Sequence, residues 1–380
     1  MPEKLNVLHI SNDFPNSSLY KQLVLHLDEL NIKQVVYSAV RSKGESLYNP
    51  TELSHVKLHI HNILSLHDRL LFRLKVRKIY KDLYTSIDIS NAGIIHAHTL
   101  YSDGAVALKV KERFGIPFVV SVRQTAFNAF GKYRPDLKWR RDKILTEAKK
   151  VVFLSPAYKE KIFLSIDNRI RELINNKIAI IPNGVDSYFL NTKQVEKKRK
   201  STLQLLFVGR FLKLKNIPTL IRAVEKLQEK IKVTLTLVGK GEEENRIGRM
   251  IGSNPNINYV GFIKDKEKLT NIYQSHDIFI MVSEPETFGL VYIEALSQGL
   301  PIIHTKGEGI DGYFENKNIS ETVGNPNDIE EIVRKIELLA DRLDNKLIEK
   351  CKEVAQQFDW SLIADQYKTL YNVATTQEPN

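Results

Sequence analysis

The sequence predicts an α/β protein with two Rossmann-like, doubly wound parallel-sheet domains that face each other across a cleft. The chain has 380 residues, a length typical of two domains. Short apolar, β-branched segments alternate with amphipathic segments of helical length, which is typical of right-handed βαβ units and a parallel sheet. Because open α/β sheets bind ligands at the carboxyl ends of their strands, we expect the ligand site in the cleft.

The first domain is predicted over residues 1–190. Its strands are predicted at LNVLHI, KQVVYSAV, AGIIHAH, PFVVSV and IAIIPNGVD, and its helices at Leu19–Leu30 and Ala105–Phe114. A polar, charged stretch follows over residues 191–202, and this composition predicts a linker.

The pattern of strands and helices restarts after the linker and predicts a second domain over residues 203–357. Its strands are predicted at LQLLFVG, KVTLTLVG, INYVGF, DIFIMV and LPIIHT, and its helices at Ile217–Glu229 and Val291–Gln298. Apolar residues at helical spacing in DWSLIADQYKTLYNV predict a last helix, within residues 358–375, that crosses back to the first domain.

The composition is that of an ordinary folded protein, with 42% hydrophobic and 27% charged residues. The single cysteine, Cys351, excludes an internal disulfide framework and a cysteine-based zinc site. The first residues lack the pattern of a secretory signal, and no apolar run reaches the roughly 18 to 20 residues that span a bilayer. We therefore expect a cytoplasmic protein.

Positive charge is concentrated in the first half of the chain. Residues 1–200 hold 34 Lys and Arg against 19 Asp and Glu (+15), whereas residues 201–380 hold 22 against 26 (−4). Two segments combine this charge with apolar residues, LHDRLLFRLKVRKIYKDLY and KYRPDLKWRRDKIL with its Trp139. They predict either peripheral contact with an anionic membrane, at its inner face, or helices packed on the domain with a solvated charged side.

Two glutamates stand in the segment SEPETFGLVYIEALSQGLP. Glu286 precedes the predicted helix and Glu294 lies inside it, about two turns further on. Carboxylates accept hydrogen bonds from neighbouring hydroxyls of a ribose or a hexose, and free backbone amides at a helix start bind phosphate. The pair therefore indicates a sugar and phosphate site, although acidic residues are also favoured at the start of an ordinary surface helix.

Two cations follow a buried strand in FVGRFLKLKN. Arg210 stands directly after the strand and Lys215 five residues later, ahead of the next helix. A planar guanidinium and a lysine can bracket a diphosphate and neutralise the charge that develops when a sugar leaves it. The alternative is a solvated basic loop.

From IIPNGVD through VGRFLKLKN, LVGKGEEEN, INYVGFI and PETFGLVYIEALSQGLPII, the chain resembles the donor-binding domain of the glycosyltransferases of family 4, also called glycosyl transferases group 1. These enzymes are retaining and have the GT-B architecture. The resemblance runs over roughly residues 181–304 and includes the spaced glutamate pair of the family. The first half of the chain resembles the family more loosely, through its opening strand, IIHAH and IPFVVSV.

The resemblance implies a role for each matching residue. Arg210 and Lys215 would bind the donor diphosphate, Glu294 the nucleotide ribose, and Glu286 the hydroxyls of the donor sugar at the catalytic centre. Phe288, Gly289, Leu290 and Val291 would surround the donor, with backbone amides from the last two, and Ile263 would lie near the base. The resemblance also implies a metal-independent reaction without a cofactor, with a UDP- or GDP-sugar as co-substrate, and the sequence contains no Asp-x-Asp motif.

The acceptor side departs from the family pattern. The family commonly has a histidine after the strand that corresponds to PFVVSV, whereas this chain has Arg123, which cannot act as a base near neutral pH. Ser17 and Ser18 stand where many members have paired glycines. His98 and Asp103 are further candidates for the acceptor pocket; His96 and His98 have the i, i+2 spacing of a metal pair, but no third ligand is evident, so we predict no metal site.

Together these features predict a retaining glycosyltransferase that moves a hexose-type sugar from a nucleotide-diphosphate sugar to a saccharide or lipid-linked saccharide acceptor. Bacterial surface or extracellular polysaccharide biosynthesis is the predicted setting. Two alternatives are a sugar-nucleotide epimerase of the same fold and a non-enzymatic basic nucleic-acid-binding protein. The sequence lacks a helix-turn-helix, a zinc-ligand set and an RNP-like strand, which argues against nucleic acid as a partner.

Overall fold

The computed structural model describes residues 5–41, 53–69, 71–123, 137–193, 201–315 and 317–376. The chain forms two compact units. The N-terminal unit comprises Met1–Leu154, Ile162–Pro182 and Trp360–Asn380, and the C-terminal unit comprises Ser155–Lys161 and Asn183–Asp359. The main-chain boundary between the units therefore follows Pro182, eight residues before the boundary that the sequence predicts. Part of the predicted linker, residues 194–200, lies outside the described residues.

The N-terminal unit is built on a seven-stranded parallel sheet with the order β3-β2-β1-β4-β5-β6-β7. Its strands are β1 (Asn6–Ile10), β2 (Lys33–Val40), β3 (Val56–Asn62), β4 (Ile94–Ala97), β5 (Phe118–Val122), β6 (Lys150–Phe153) and β7 (Ile178–Ile180). The strand order reverses between β1 and β4, as in a doubly wound sheet, and such a reversal is where ligands bind.

Helices cover the faces of this sheet. The helices of this unit are α1 (Ser18–Glu29), α2 (Phe72–Ser86), α3 (Ser102–Phe114), α4 (Lys138–Glu147), α6 (Asn168–Ile174) and the last helix of the chain, α14 (Trp360–Thr375). Helix α5 (Pro156–Phe163) belongs to the C-terminal unit up to Lys161. Apolar residues of α14, among them Ile363 and Tyr371, pack with Leu23 and Leu27 of α1 and with Ile94 of β4 in one buried cluster. The final helix is thus part of the N-terminal core.

The C-terminal unit contains a six-stranded parallel sheet with the order β10-β9-β8-β11-β12-β13. Its strands are β8 (Leu203–Val208), β9 (Val233–Val238), β10 (Ile257–Gly261), β11 (Ile278–Ile280), β12 (Ile302–Thr305) and β13 (Ser320–Val323). Its helices are α7 (Ser187–Asn191), α8 (Ile217–Gln228), α9 (Glu244–Ile251), α10 (Lys266–Ser275), α11 (Leu290–Ser297), α12 (Ile329–Ala340) and α13 (Asn345–Gln356).

Both sheets are therefore parallel and doubly wound, as the alternation of strands and helices predicts. The central strands β4, β5 and β11 are buried along their whole length, which explains their continuous apolar sequences. None of the described helices is long and apolar enough to cross a membrane.

Candidate functional site

A cavity of about 620 Å³ opens at the carboxyl edge of the six-stranded sheet. The ends of β8 and β9, the loop after β10 and helix α11 supply its walls. The residues that line it are Val208, Gly209, Arg210, Val238, Gly239, Lys240, Gly241, Glu244, Phe262, Ile263, Leu269, Val291 and Glu294. The structure thus brings together four residues that the sequence analysis selects from separate motifs, namely Arg210, Ile263, Val291 and Glu294.

Two glycines let the loops after β8 and β9 approach closely under this cavity. At Gly239, with φ of +142°, an added Cβ would lie 1.9 Å from the carbonyl oxygen of Gly209. At Gly241 it would lie 2.5 Å from the carbonyl oxygen of Phe211. Any larger residue would push the loops apart, so these positions keep the floor of the cavity made of backbone.

Glu294 lies on α11 and lines the cavity. Tyr273 of α10 donates a hydrogen bond from its hydroxyl to Glu294 Oε2 at 2.9 Å. Burial raises the pKa of the Glu294 carboxyl to about 7, and the Tyr273 hydrogen bond only partly opposes this shift. The carboxyl group of Glu294 therefore changes charge near neutral pH. Tyr273 uses only the Oε2 atom, so Oε1 can accept a hydrogen bond from a ligand.

Glu286 forms an ion pair with Lys215, so the structure joins the two predicted motifs directly. Lys215 Nζ contacts Glu286 Oε2, and both side chains are nearly buried, with 13% and 12% of their surface exposed. Glu286 Oε1 also accepts a hydrogen bond from the Thr287 backbone at 3.0 Å. A carboxylate that is held in this way presents fixed acceptor oxygens to a ligand.

Glu308, which the sequence analysis does not identify, holds the backbone of Glu286. Its Oε2 accepts a hydrogen bond from the Glu286 amide at 2.8 Å, and its Oε1 pairs with Lys161. The next residue, Gly309, donates from its amide to the Glu286 carbonyl at 3.1 Å. Gly309 has φ of +54°, and a Cβ there would meet Glu286 Cγ and the Phe288 carbonyl oxygen, both at 2.9 Å. The loop after β12 therefore fixes the position of Glu286.

Helix α11 begins next to this loop. Gly289 is its N-terminal cap with φ of +81°, and Leu290 and Val291 form its first turn. A Cβ at position 289 would lie 2.6 Å from the Tyr292 ring, so both the backbone angle and the space require glycine. The Phe288 side chain is buried and packs near Tyr313 and Phe358. Phe288 can therefore offer a ligand only its backbone.

Three buried histidines lie at the carboxyl edge of the N-terminal sheet. His96 of β4 is the register partner of His9 on β1, and His98 follows β4. His9 supplies the third possible metal ligand that is not evident beside His96 and His98 in the sequence. One ring nitrogen of each of the three histidines lies within 4.8 Å of the other two. Burial lowers the pKa of His9 to about 4 and the pKa of His96 and His98 well below the ordinary value, so all three imidazoles are neutral.

Hydrogen bonds within the protein already occupy the rings of His9 and His96. His9 contacts His98 at 2.9 Å and Gln34 at 3.1 Å, and His96 contacts Tyr371 at 2.7 Å and Ser121 at 2.9 Å. A metal ion bound by all three histidines would have to break at least two of these contacts. The arrangement is that of a hydrogen-bonded core network.

The other predicted acceptor-side residues have structural partners. Ser17 caps α1, where its hydroxyl accepts from the Tyr20 amide at 3.5 Å, and Ser18 is the first residue of that helix. Both oxygens of the buried Asp103 are occupied, by Asn12 at 2.6 Å and Thr99 at 2.8 Å. Arg123, after β5, lies over the Tyr20 ring at 4.9 Å.

The basic segment around α2 is a helix with one buried and one exposed side. Phe72, Val76, Ile79 and Leu83 are buried. The exposed side combines the cations Arg73, Arg77 and Lys78 with Leu74, which is 52% exposed, as is Leu71 just before the helix. On α4, Trp139 is 67% exposed. In the second basic segment, residues 132–136 lie outside the described residues.

Two family models match consecutive parts of the chain, which together span residues 19–358. The model of Glycosyltransferase Family 4 matches residues 19–188, and that of Glycosyl transferases group 1 matches residues 189–358. Two curated relatives are a sulfoquinovosyl transferase of Arabidopsis thaliana, 29% identical over 197 residues (49% of this chain, 38% of that protein), and an alpha-monoglucosyldiacylglycerol synthase of Acholeplasma laidlawii, 28% identical over 247 residues (59% and 61%). The alignments thus cover less than two thirds of either relative.

A solved structure with the same fold is Anabaena HepE in complex with UDP-glucose. Its TM-score is 0.65 and its sequence identity 18%, and the match covers 97% of this chain and 100% of that chain.

Proposed function

Since the chain belongs to the glycosyltransferases of family 4 and group 1 and has their GT-B fold, we propose that it transfers a hexose-type sugar from a UDP- or GDP-sugar to a saccharide or lipid-linked saccharide acceptor, with retention of configuration. The observation that carries this proposal is one sheet edge that combines three features: the Arg210 cation, the Glu294 carboxylate and the Glu286–Lys215 ion pair. Assembly of a bacterial surface or extracellular polysaccharide is the proposed setting.

In this proposal the donor nucleotide occupies the cavity of the C-terminal unit. Glu294 accepts hydrogen bonds from the ribose hydroxyls, and the base lies beside Ile263. The diphosphate contacts Arg210, the first amides of α11 and, after the donor enters, Lys215. Glu286 then accepts hydrogen bonds from hydroxyls of the donor sugar. This division of roles agrees with the separation of the two carboxylates, one inside the cavity and one on the loop beside it.

The proposed reaction needs no divalent cation, because two side-chain cations and a helix start can neutralise the leaving diphosphate. The acceptor hydroxyl attacks the face of the sugar from which the diphosphate departs, and the departing diphosphate takes the proton of that hydroxyl. Configuration at the sugar carbon is thereby retained. Arg123 contributes charge at the N-terminal sheet edge but no base, as a guanidinium stays protonated.

The acceptor side of the proposal rests on the N-terminal unit. The exposed cations and apolar residues of α2 and α4 match an anionic bilayer surface, where a lipid-linked acceptor would be held. The named activity of the Acholeplasma relative, synthesis of a glucosyldiacylglycerol, supports a lipid-linked acceptor. We therefore propose peripheral contact with the inner face of the membrane through these two helices.

A nucleotide screen tests the donor site. We expect UDP or GDP to raise the unfolding temperature, since a ligand at a hundredfold excess over its Kd stabilises the native state by about 2.7 kcal/mol. The Arg210→Ala variant should lose this stabilisation, because the cation lines the cavity. The matched control is Arg249→Ala, which removes an exposed arginine of the same unit that bonds only to its own helix backbone among the described contacts. Equal stabilisation of wild type and Arg210→Ala would contradict the diphosphate assignment.

The pH dependence of nucleotide binding tests the ribose assignment. The raised pKa of Glu294, about 7, means that the carboxyl is protonated below neutral pH in the free protein. An ionised carboxylate accepts from both ribose hydroxyls, so binding should favour this form and weaken by about tenfold from pH 8 to pH 6.

The Glu294→Gln variant provides the control for this pH dependence. It should bind the nucleotide more weakly at pH 8 and lose the pH dependence that belongs to residue 294. The ionisation of the diphosphate affects both proteins equally, so it cancels when the Kd of the variant is divided by the Kd of the wild type at each pH. Calorimetric Kd values for both proteins at the two pH values provide the measurement. An identical pH profile in the two proteins would show that Glu294 does not contact the nucleotide.

A further inference from the structure

The tautomers of the N-terminal histidine network follow from its hydrogen bonds. Gln34 donates from Nε2 to the Val24 carbonyl at 3.0 Å, which orients its amide so that Oε1 faces His9. His9 Nε2 must therefore carry a hydrogen and donate it to Gln34 at 3.1 Å. A neutral imidazole has one N–H, so His9 Nδ1 accepts, and His98 Nε2 is the donor of the 2.9 Å bond between the two rings.

This chain of assignments leaves His98 Nδ1 with a lone pair. Nδ1 of His98 is buried and has no hydrogen-bond partner among the described residues. The same is true of the Ser11 hydroxyl, which follows β1 directly, as His98 follows β4. The two strand ends are neighbours, because the His98 amide donates to the Ile10 carbonyl at 3.1 Å. Two buried polar atoms that lack partners in the described part of the chain thus belong to residues that follow adjacent strands, and leaving both unpaired costs stability.

The surroundings of these atoms belong to the ligand-binding edge of the sheet. The strand order reverses between β1 and β4, the two strands that Ser11 and His98 follow. The Tyr20 ring packs edge-on against the His98 ring, with 4.8 Å between the ring centroids. The guanidinium of Arg123 lies over the Tyr20 ring, 4.9 Å from its centroid. Tyr20 is therefore a neighbour of the His98 ring at this edge of the sheet.

We propose that His98 Nδ1 and Ser11 Oγ form a subsite for one hydroxyl of the acceptor, which donates its hydrogen bond to His98. This inference rests on the proposed transferase function and adds the residues that recognise the acceptor. The chemistry required of the ligand is a hydroxyl group, as in a sugar or a glycerol unit. His98 positions that hydroxyl and does not remove its proton, since a protonated imidazole would be a buried cation near Arg123.

Two substitutions separate this role from a purely structural one. In His98→Asn the side-chain amide lies where Nδ1 lies in histidine, so an acceptor oxygen remains for the ligand. In His98→Gln the amide reaches the position of Nε2, which keeps a contact with His9 but offers no atom at the Nδ1 position. His98→Asn loses the contact with His9 and His98→Gln keeps it, so a weaker ligand affinity in His98→Gln cannot arise from loss of that core contact. Only His98→Gln removes the proposed ligand contact.

The experiment uses the full chain, selectively labelled with ¹⁵N at histidine and saturated with UDP or GDP. Three compounds serve as hydroxyl probes: methyl α-D-glucoside, methyl α-D-galactoside and glycerol. We expect the spectrum of the free enzyme to show His98 Nδ1 unprotonated, and we expect at least one probe to shift this resonance. Saturation-transfer NMR should then give a probe affinity about tenfold weaker in His98→Gln, as for loss of one hydrogen bond, and within about threefold of wild type in His98→Asn.

Three results would overturn the inference: a protonated Nδ1, a resonance that none of the probes shifts, or equal affinities in the two variants. The last of these would mean that the atom is filled by a structural water. Nucleotide stabilisation measured on the same samples keeps the two proposals apart. A nucleotide that binds while His98 does not respond rejects the subsite alone, and a His98 that responds without nucleotide binding rejects the transferase proposal.

Discussion

The Glu286→Gln variant is expected to lose sugar transfer by about 100- to 1,000-fold while it still binds the donor nucleotide. The expected size is that of removing one preorganised electrostatic group from a transition state. Glutamine has the shape of glutamate, and the Glu286 side chain takes no part in the hydrogen bonds that the Glu286 amide donates to Glu308 and the Gly309 amide donates to the Glu286 carbonyl. What the variant loses is the negative charge at the proposed sugar position and its pairing with Lys215.

Nucleotide binding should survive because Glu286 is not among the residues that line the cavity. The measurement is the rate of nucleoside diphosphate release from a UDP- or GDP-sugar, together with the Kd of the free diphosphate. Glu284→Gln is the matched control, because it makes the same chemical change at an exposed position two residues earlier in the same loop. Transfer within tenfold of wild type in Glu286→Gln would rule out the proposed contact with the donor sugar.

Most apolar strands at the sheet centres could be predicted from the sequence because they are buried on both faces. The exception is the central strand β6, whose short sequence KVVF is not among the predicted strands. The strands β3 and β13 are also not predicted; each is the last strand on one edge of its sheet and is only partly buried. Their sequences, VKLHIHN and SETV, carry no continuous apolar run. These two strands are fixed by pairing with a neighbour, and such pairing is not visible in a local pattern. The other two edge strands, β7 and β10, are predicted, within the segments IAIIPNGVD and INYVGF.

The candidate site shows the same division between local and distant signals. Arg210, Lys215, Glu286 and Glu294 could be selected from the sequence, because the two cations follow a predictable strand and the two glutamates stand before and inside a predictable helix. Glu308 could not, since its role depends on the loop after β12 returning to the Glu286 backbone.

Two of the three histidines of the network could be identified from the sequence, because only these two are close together in the chain. The i, i+2 spacing identifies His96 and His98 within one strand. His9 becomes their neighbour only when β1 pairs with β4. In this pairing His9 lies opposite His96, which is 87 residues later in the chain. Contacts across a topological crossover of this kind need the tertiary structure.

The Lys215–Glu286 pair has a consequence for stability as well as for activity. Both side chains are nearly buried, so removal of one partner leaves a charge with little water around it. We expect Lys215→Met to lower the free energy of unfolding of the C-terminal unit by about 3 to 5 kcal/mol. The same variant should have no measurable donor turnover, because it lacks the lysine that we propose neutralises the leaving diphosphate.

The double variant Lys215→Met/Glu286→Gln separates these two effects. It removes both charges, so the unpaired carboxylate that destabilises Lys215→Met is absent and most of the lost stability should return, whereas turnover should not. Lys213→Met is the matched control, since this exposed lysine lies on the same short turn and should change neither property. Urea unfolding midpoints and turnover rates of the four proteins provide the measurement. If the double variant is as unstable as Lys215→Met, the loss arises from packing of the lysine stem and not from the unpaired charge.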